Sequence, residues 1–304
     1  MSGIWRIDDV TIHKIVEIEN AYTTIDKFFP EITPELLAEH LDWFRKDGYV
    51  EDTGQLFLSY HSFIAETPHH TILIDSCIGN DKSCPVRDTW HNKSDTRWLE
   101  EFAATGLKFE DIDYVLCSHL HVDHVGWNTR MQDGNWVPTF PNARYLMVDR
   151  EYDYASRWAR EHPEDPAMAA LFQAVFDESI QPVVDAGRVD FVSATHVLEP
   201  YVRFLPTPGH TPAHVAICVG RDADSAVFTG DLIHSPIQTR LPDLKVRLDD
   251  DPDQALQSRR AFFERFAGTD TLVFTMHFPA PSVGYLRREG RAYVLDYQDP
   301  DDGG

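Results

Sequence analysis

Short apolar runs and amphipathic stretches alternate along the chain. Runs rich in Val, Ile, Leu and aromatic residues at 10–18, 56–65 and 71–74 predict neighbouring strands, the last ending in the polar turn Asp75-Ser76-Cys77-Ile78-Gly79. Helical periodicity at 95–104, 150–161 and 166–178 then alternates with strands at 114–117 and 144–148. After a strand at 189–192 the pattern starts again, with strands at 202–205, 214–219 and 226–228, a helix at 252–266 and closing strands at 272–274 and 292–295. Two β-rich halves with helices between them predict an α+β chain of two sheets packed together and covered by helices. No repeat and no Pro-, Gly- or Ser-rich linker divides the halves, so 1–304 reads as one domain. Residues 20–55 read as an N-terminal insertion, a candidate lid or dimer arm carrying Phe28, Phe29, Trp43 and Phe44. The acidic stretch 298–304 and the run Asp249-Asp250-Asp251 read as solvated, the former as a disordered tail.

Charge narrows the function. The net charge is -23, with 50 acidic against 27 basic residues and no basic run, which excludes nucleic acid as a partner because polyanions are bound through Lys and Arg. No apolar stretch approaches the roughly 20 residues of a membrane span, and the first residues lack the basic and apolar regions of a signal peptide, so the expected location is the cytoplasm. The four cysteines, Cys77, Cys84, Cys117 and Cys218, show no C-x-x-C spacing and read as small, reduced core residues.

Candidate chemistry sits where predicted strands end. His119-Leu120-His121-Val122-Asp123-His124 follows the apolar run Tyr114-Val115-Leu116-Cys117 and offers four ligands within six residues. Imidazole nitrogen and carboxylate oxygen are what a borderline cation such as Zn²⁺ accepts, and an incomplete protein shell marks a catalytic site. Three further strand ends add ligands of the same kind: Gly209-His210, Gly230-Asp231 and Met276-His277. The glycines beside His210 and Asp231 let the backbone turn tightly there.

In this order, His-x-His-x-Asp-His, Gly-His, Gly-Asp and a late His, the chain resembles the metallo-β-lactamase superfamily over roughly residues 10–297. The resemblance implies a four-layer αββα sandwich with a two-metal site at one edge. It implies one metal on His119, His121 and His210, a second on Asp123, His124 and His277, and Asp231 bridging both. Two divalent cations, two carboxylates and a bridging hydroxide leave one net positive charge, which suits attack of that hydroxide on a carbonyl or phosphoryl centre. No Ser or Cys nucleophile is then needed. Asp123 would also orient the hydroxide, and Asp75 would hold a ligand histidine from behind. Zinc is the default metal, with Mn²⁺, Fe²⁺ and Co²⁺ compatible with the same ligands.

Substrate signals lie outside the ligands. The acyl-homoserine lactonases of the family carry a Tyr three residues after the bridging Asp, whereas this chain has His234, read as a catalytic hydrogen-bond donor to the carbonyl, phosphoryl or leaving oxygen. The segments after Gly230 and Met276 look more like the methyl-parathion-hydrolase branch, which hydrolyses phosphotriesters, aryl esters and lactones. Trp127, Trp136, Phe140, Phe28 and Phe29 are expected to line the pocket and to favour an apolar or aryl small molecule. The expectation is a dinuclear hydrolase of esters or lactones. Organophosphate triesters, β-lactams gripped by Arg240 or Lys245, and glyoxalase-type thioesters remain as alternatives, as do an iron persulfide dioxygenase and a non-catalytic module. A homodimer is compatible with the N-terminal segment.

Overall fold

Residues 3–46, 48–221 and 224–301 are described by the computed structural model. Strands β1 (Gly3–Ile7), β2 (Val10–Thr24), β3 (Tyr49–Val50), β4 (Gln55–Glu66), β5 (Thr71–Ile74) and β6 (Tyr114–Leu116) enter a first sheet. A separate hairpin, β7 (Thr129–Gln132) and β8 (Asn135–Pro138), precedes β9 (Arg144–Val148) and β10 (Val189–Val192). The first sheet has the order β1-β2-β4-β5-β6-β9-β10, with β3 on β4. Its members β5, β6, β9 and β10 run parallel. Thr-Ile-Leu-Ile in β5 and Arg-Tyr-Leu-Met-Val in β9 are almost continuously apolar and buried, as strands covered on both faces must be. The second sheet runs β11 (Val197–Glu199), β12 (Val202–Pro206), β13 (Val215–Val219), β14 (Ala226–Phe228), β15 (Leu272–Phe274), β16 (Val283–Glu289) and β17 (Ala292–Tyr297) in sequence order. Only β14 and β15 are parallel neighbours there.

Helices α1 (Ile25–Phe28) and α2 (Pro34–Phe44) lie between β2 and β3, and α3 (Arg97–Ala104) joins β5 to β6. Between β9 and β10 come α4 (Asp149–Glu161), α5 (Pro166–Val175) and α6 (Gln181–Asp185). The second half adds α7 (Ile237–Arg240) and α8 (Pro252–Phe266), both between β14 and β15. Parallel neighbours require such long crossovers. Three helices start alike, with an oxygen side chain accepting from the N3 amide and proline in the first position: Thr33 for α2, Asp165 for α5 and Asp251 for α8. Among the described residues no helix is long and apolar enough to cross a membrane.

The chain divides into two compact units, one of Ile18–Ser59 with Val197–Asp301, the other of Tyr60–His196 with the N-terminal segment through Glu17. In the first, Phe262, Phe263 and Phe266 of α8 pack with Ala216, Cys218, Val227, Val273 and Leu286 of the second sheet. In the second, Trp98 of α3 stacks on Trp127 at 4.7 Å and on Phe102 at 5.3 Å. All four cysteines are buried thiols.

Several boundaries differ from the sequence reading. Strand β2 continues to Thr24, so the segment 20–55 is the end of β2, then α1, α2, β3 and the start of β4. The helix expected at 166–178 stops at Val175, where one π-helical turn, Phe176–Ile180, intervenes before α6. That turn is held from outside: the Glu178 carbonyl accepts from Lys82 Nζ at 3.0 Å and from the Thr129 hydroxyl, and its carboxylate accepts from Ser83 N at 2.8 Å. Of the expected disordered tail, Gln298 N donates to Val283 O at 2.9 Å, and residues 302–304 lie outside the described residues. Asp249 is buried, which corrects the expectation of solvation at that position, while Asp250 and Asp251 are exposed as expected and Asp251 caps α8.

Lys82 is buried at this junction. Its Nζ donates to Thr129 Oγ1 at 2.5 Å and lies 3.5 Å above the Trp136 ring. Burial pushes the ammonium down to about 7, outweighing attraction to Glu178 and Asp81. A folded-state value below the unfolded one means that the unfolded chain binds more protons above about pH 7. Stability contributed by this site therefore rises with pH from about 7 toward the unfolded lysine value, by at most about 1.4 kcal/mol per pH unit. We expect urea unfolding between pH 6.5 and 9 to show wild type gaining stability relative to Lys82→Met as pH rises; a constant difference would contradict this account.

Candidate metal centre

The first group of donors follows β6. The chain leaves the strand at Cys117 and places His119, His121, Asp123 and His124 in one loop, with His119 and His124 buried and the other two half-buried. The ring of His119 lies 4.6 Å from that of His121 and 4.1 Å from that of His124. Asp75, at the end of the parallel neighbour β5, is buried beneath them. Its carboxylate accepts from Ser118 N at 2.7 Å, Ser118 Oγ at 2.8 Å and His124 Nδ1 at 2.8 Å. Because the Ser118 hydroxyl donates to Asp75, its oxygen accepts from His119 Nδ1 at 3.1 Å. Both buried rings thus carry the proton on Nδ1 and a lone pair on Nε2, the state a metal ligand needs.

Close packing fixes this loop. A Cβ on Gly126 would stand 1.8 Å from the Ile78 carbonyl oxygen, so only glycine fits. Glu17 clamps the opposing segment, accepting from Ile78 N at 2.7 Å, Trp127 Nε1 at 3.0 Å and Lys93 Nζ at 2.8 Å. A buried carboxylate so paired costs far less than a bare one.

The second group belongs to the other unit and gathers on Asp231. This residue follows β14; His277 follows the parallel strand β15, and His210 follows β12. Asp231 Oδ2 lies 3.2 Å from His210 Nε2 and 3.1 Å from His234 Nε2, and Oδ1 lies 2.9 Å from His277 Nε2. The Asp231 amide donates to His214 Nε2 at 2.9 Å, which leaves the His214 Nδ1 proton to Thr207 Oγ1 at 2.8 Å. His210, Asp231 and His234 present donor atoms close enough to share one ion.

The far nitrogens decide what this cluster accepts. His277 Nδ1 donates to the Ser59 carbonyl at 3.1 Å and His210 Nδ1 to Asp249 Oδ1 at 3.0 Å. A neutral imidazole has one N–H, so in both rings the lone pair of Nε2 faces a carboxylate oxygen. At these distances positive charge must lie between the groups, either as a second ring proton that pairs imidazolium with carboxylate or as a metal cation. His234 differs: its Nδ1 is buried with no hydrogen-bond partner among the described residues, so a single Nε2 proton suffices to reach Asp231. The ring is held parallel to that of His277 at 5.6 Å, and the edge of Phe28 meets it at 5.4 Å. Gln238 Oε1 accepts its backbone N–H at 2.8 Å. Burial raises the pKa of the Asp249 carboxyl, against the opposing pull of His234 and Arg259.

The sequence pattern of the metallo-β-lactamase superfamily matches residues 57–277, most of the chain and all of the donors above. The chain belongs to this superfamily. Among metallo-β-lactamase relatives, the N-acyl homoserine lactonase AttM of Azorhizobium caulinodans is 29% identical over 174 residues, 52% of this chain and 58% of that protein. AttM of Rhizobium radiobacter is 24% identical over the same shares. The chain thus spans little more than half the length of these relatives. A solved hydrolase of the superfamily, AbOPH, superposes with a TM-score of 0.82 at 23% identity, covering 99% of this chain and 98% of the other. The dizinc quorum-quenching lactonase AidC, in complex with a product, superposes with a TM-score of 0.76 at 22% identity over 99% of both chains. These likenesses establish the α+β metallo-β-lactamase fold over almost the whole chain.

The aromatic residues expected at the pocket divide. Phe28 touches His234, and Phe29 is buried against Phe28 at 4.9 Å. Trp136 is half-buried under Lys82. Trp127 and Phe140 are interior instead, Trp127 through its stack on Trp98 and its bond to Glu17, Phe140 through Phe109 at 5.5 Å and Phe102 at 6.1 Å. Sequence reasoning missed Glu17 and Asp249, whose partners are distant in the chain. Gly126→Ala is expected to cost about 3 kcal/mol or more by overpacking, and Gly106→Ala, whose Cβ would meet nothing within 4 Å, about 1–2 kcal/mol from its positive φ alone. Urea unfolding of the pair compares them; equal losses would contradict the close packing.

Proposed function

We propose that this chain is a dinuclear zinc hydrolase acting on an ester or lactone of an apolar or aryl small molecule. The observation that carries the reading is the convergence of three imidazoles on buried Asp231, with two of the rings anchored through Nδ1 so that Nε2 faces the carboxylate as a metal ligand does. The relatives named lactonases and the dizinc centre named for AidC support the metal and the substrate class. We assign His119, His121 and His210 to one cation and Asp123, His124 and His277 to the other, with Asp231 common to both. Bound there, the cations would supply a water activated at neutral pH and an electropositive face for the carbonyl oxygen.

The chain's own side chains then position and move protons. Asp75 and Ser118 keep His124 and His119 in the tautomer that offers Nε2. Half-buried Asp123 orients the attacking water. With Asp231 taken up by the cations, the Nε2 proton of His234 would be released from that carboxylate and donated to the carbonyl or leaving oxygen, where charge develops as the acyl C–O bond breaks. Water adds across that bond, and the leaving oxygen takes a proton to give an alcohol and an acid, or one hydroxy acid from a lactone. Phe28, packed on the His234 ring, supplies an apolar wall beside the donor.

The test is kcat/KM of zinc-loaded protein on a lactone series, an aryl ester, a phosphotriester and a β-lactam, with Asp123→Asn as control. We expect lactones or the aryl ester to lead, with turnover abolished in the control. His234→Ala should lower kcat about 10²–10³-fold with little change in KM, as loss of one oxyanion donor does. A lead for the phosphotriester or the β-lactam, or an unchanged kcat in His234→Ala, would overturn the corresponding assignment.

A further inference from the structure

The run Asp249-Asp250-Asp251 lies between α7 and the start of α8, and its three residues do different things. Asp251 Oδ1 accepts from Gln254 N at 3.0 Å and caps α8, and its own backbone N donates to Gly209 O at 2.9 Å. The backbone N of Asp250 donates to His210 O at 3.2 Å, while its side chain is exposed. These two bonds pin the run along Gly209-His210. The approach is close enough that a Cβ on Gly209 would lie 2.1 Å from Ala255 N at the first turn of α8. The result is that Asp249 turns inward, its side chain 2% exposed, with Oδ1 3.0 Å from His210 Nδ1.

We propose that Asp249 is the positioning residue of His210, fixing the ring's proton on Nδ1 and so presenting the Nε2 lone pair to the cation. This rests on the two-metal reading above. A carboxylate can only accept from Nδ1–H, whereas water or an amide in its place can also donate to Nδ1 and stabilise the opposite tautomer, which cannot ligate through Nε2. The same carboxylate limits ring rotation, because the backbone on both sides of His210 is tied to the loop that carries it. Asp249 thereby does for His210 what Asp75 does for His124 in the other unit. Its second oxygen, Oδ2, is buried and has no hydrogen-bond partner among the described residues, and His210 is the side chain that its carboxylate meets at hydrogen-bond distance.

The experiment compares wild type, Asp249→Ala, Asp249→Asn and Asp250→Ala. Each metal-free protein is titrated with Zn²⁺ against a chromophoric chelator, its metal content is measured after gel filtration, and its urea unfolding is recorded. Wild type is expected to hold two zinc ions. In Asp249→Ala one of the two is expected to bind about 10- to 100-fold more weakly, in line with loss of an outer-shell carboxylate. Asn keeps the shape and an accepting oxygen, so Asp249→Asn should lose about tenfold and unfold as wild type does. Asp250→Ala should bind as wild type, and excess Zn²⁺ should restore kcat in Asp249→Asn. Wild-type affinity at both sites in Asp249→Ala and Asp249→Asn would overturn this inference alone. A wild-type protein that retains no zinc would overturn the two-metal reading and this inference with it.

Discussion

A buried carboxylate faced by three imidazoles is the constraint on which the candidate site depends. Asp231 is nearly inaccessible, and two of the three imidazoles beside it have their protons held on the far side by Ser59 and Asp249. Inside a protein such an arrangement has a high electrostatic cost unless positive charge enters between the groups. The backbone leaves little room to relax: the Asp231 amide is tied to His214, His214 is tied to Thr207, and Gly230 turns the chain at a positive φ. The fold therefore holds Asp231 and its imidazoles in a fixed geometry, as a preorganised cation site does.

The acidic composition looks uniform in sequence and is not uniform in the structure. Glu17 gathers an ammonium, an indole N–H and backbone amides; Asp75 gathers a serine and a histidine; Asp251 caps a helix; Asp249 faces one imidazole. Glu17, Asp75 and Asp249 have lost their water and are compensated by N–H or O–H groups aimed at them, while Asp251 stays exposed at its helix start. The remaining acids give the surface its negative charge. For the neutral ester or lactone we propose as substrate, that field would neither attract nor repel, so recognition would fall to shape and to the few polar groups beside Asp231.

How much of this the sequence discloses follows from the range of the interactions. Strands β5, β6, β14 and β15 are short apolar runs ending in Gly or polar residues, and local pattern is enough to find them. Four donors packed within 119–124 are also a local signal. The β7–β8 hairpin and edge strands β1 and β3 were missed because short, partly exposed strands carry no apolar run. Trp127 follows the donor motif directly and so looked like part of an entrance, yet its indole N–H is satisfied by Glu17, far away in the chain. Asp249 sits in an acidic triplet that reads as solvated, and its burial comes from Gly209 meeting α8, which no residue spacing announces.

The placement of donors at strand ends also bears on the order of events during synthesis. His119, His121, Asp123 and His124 leave the ribosome together, with Asp75 already made, whereas His210, Asp231 and His277 come much later, after the helices between β9 and β10. An emerging chain thus contains the donor loop 119–124 well before the strands that end near His210, Asp231 and His277 exist. Because His210, Asp231 and His277 wait on pairing between strands distant in sequence, a slow class of folding event, the proposed two-cation shell would be complete only once β14 and β15 lie side by side.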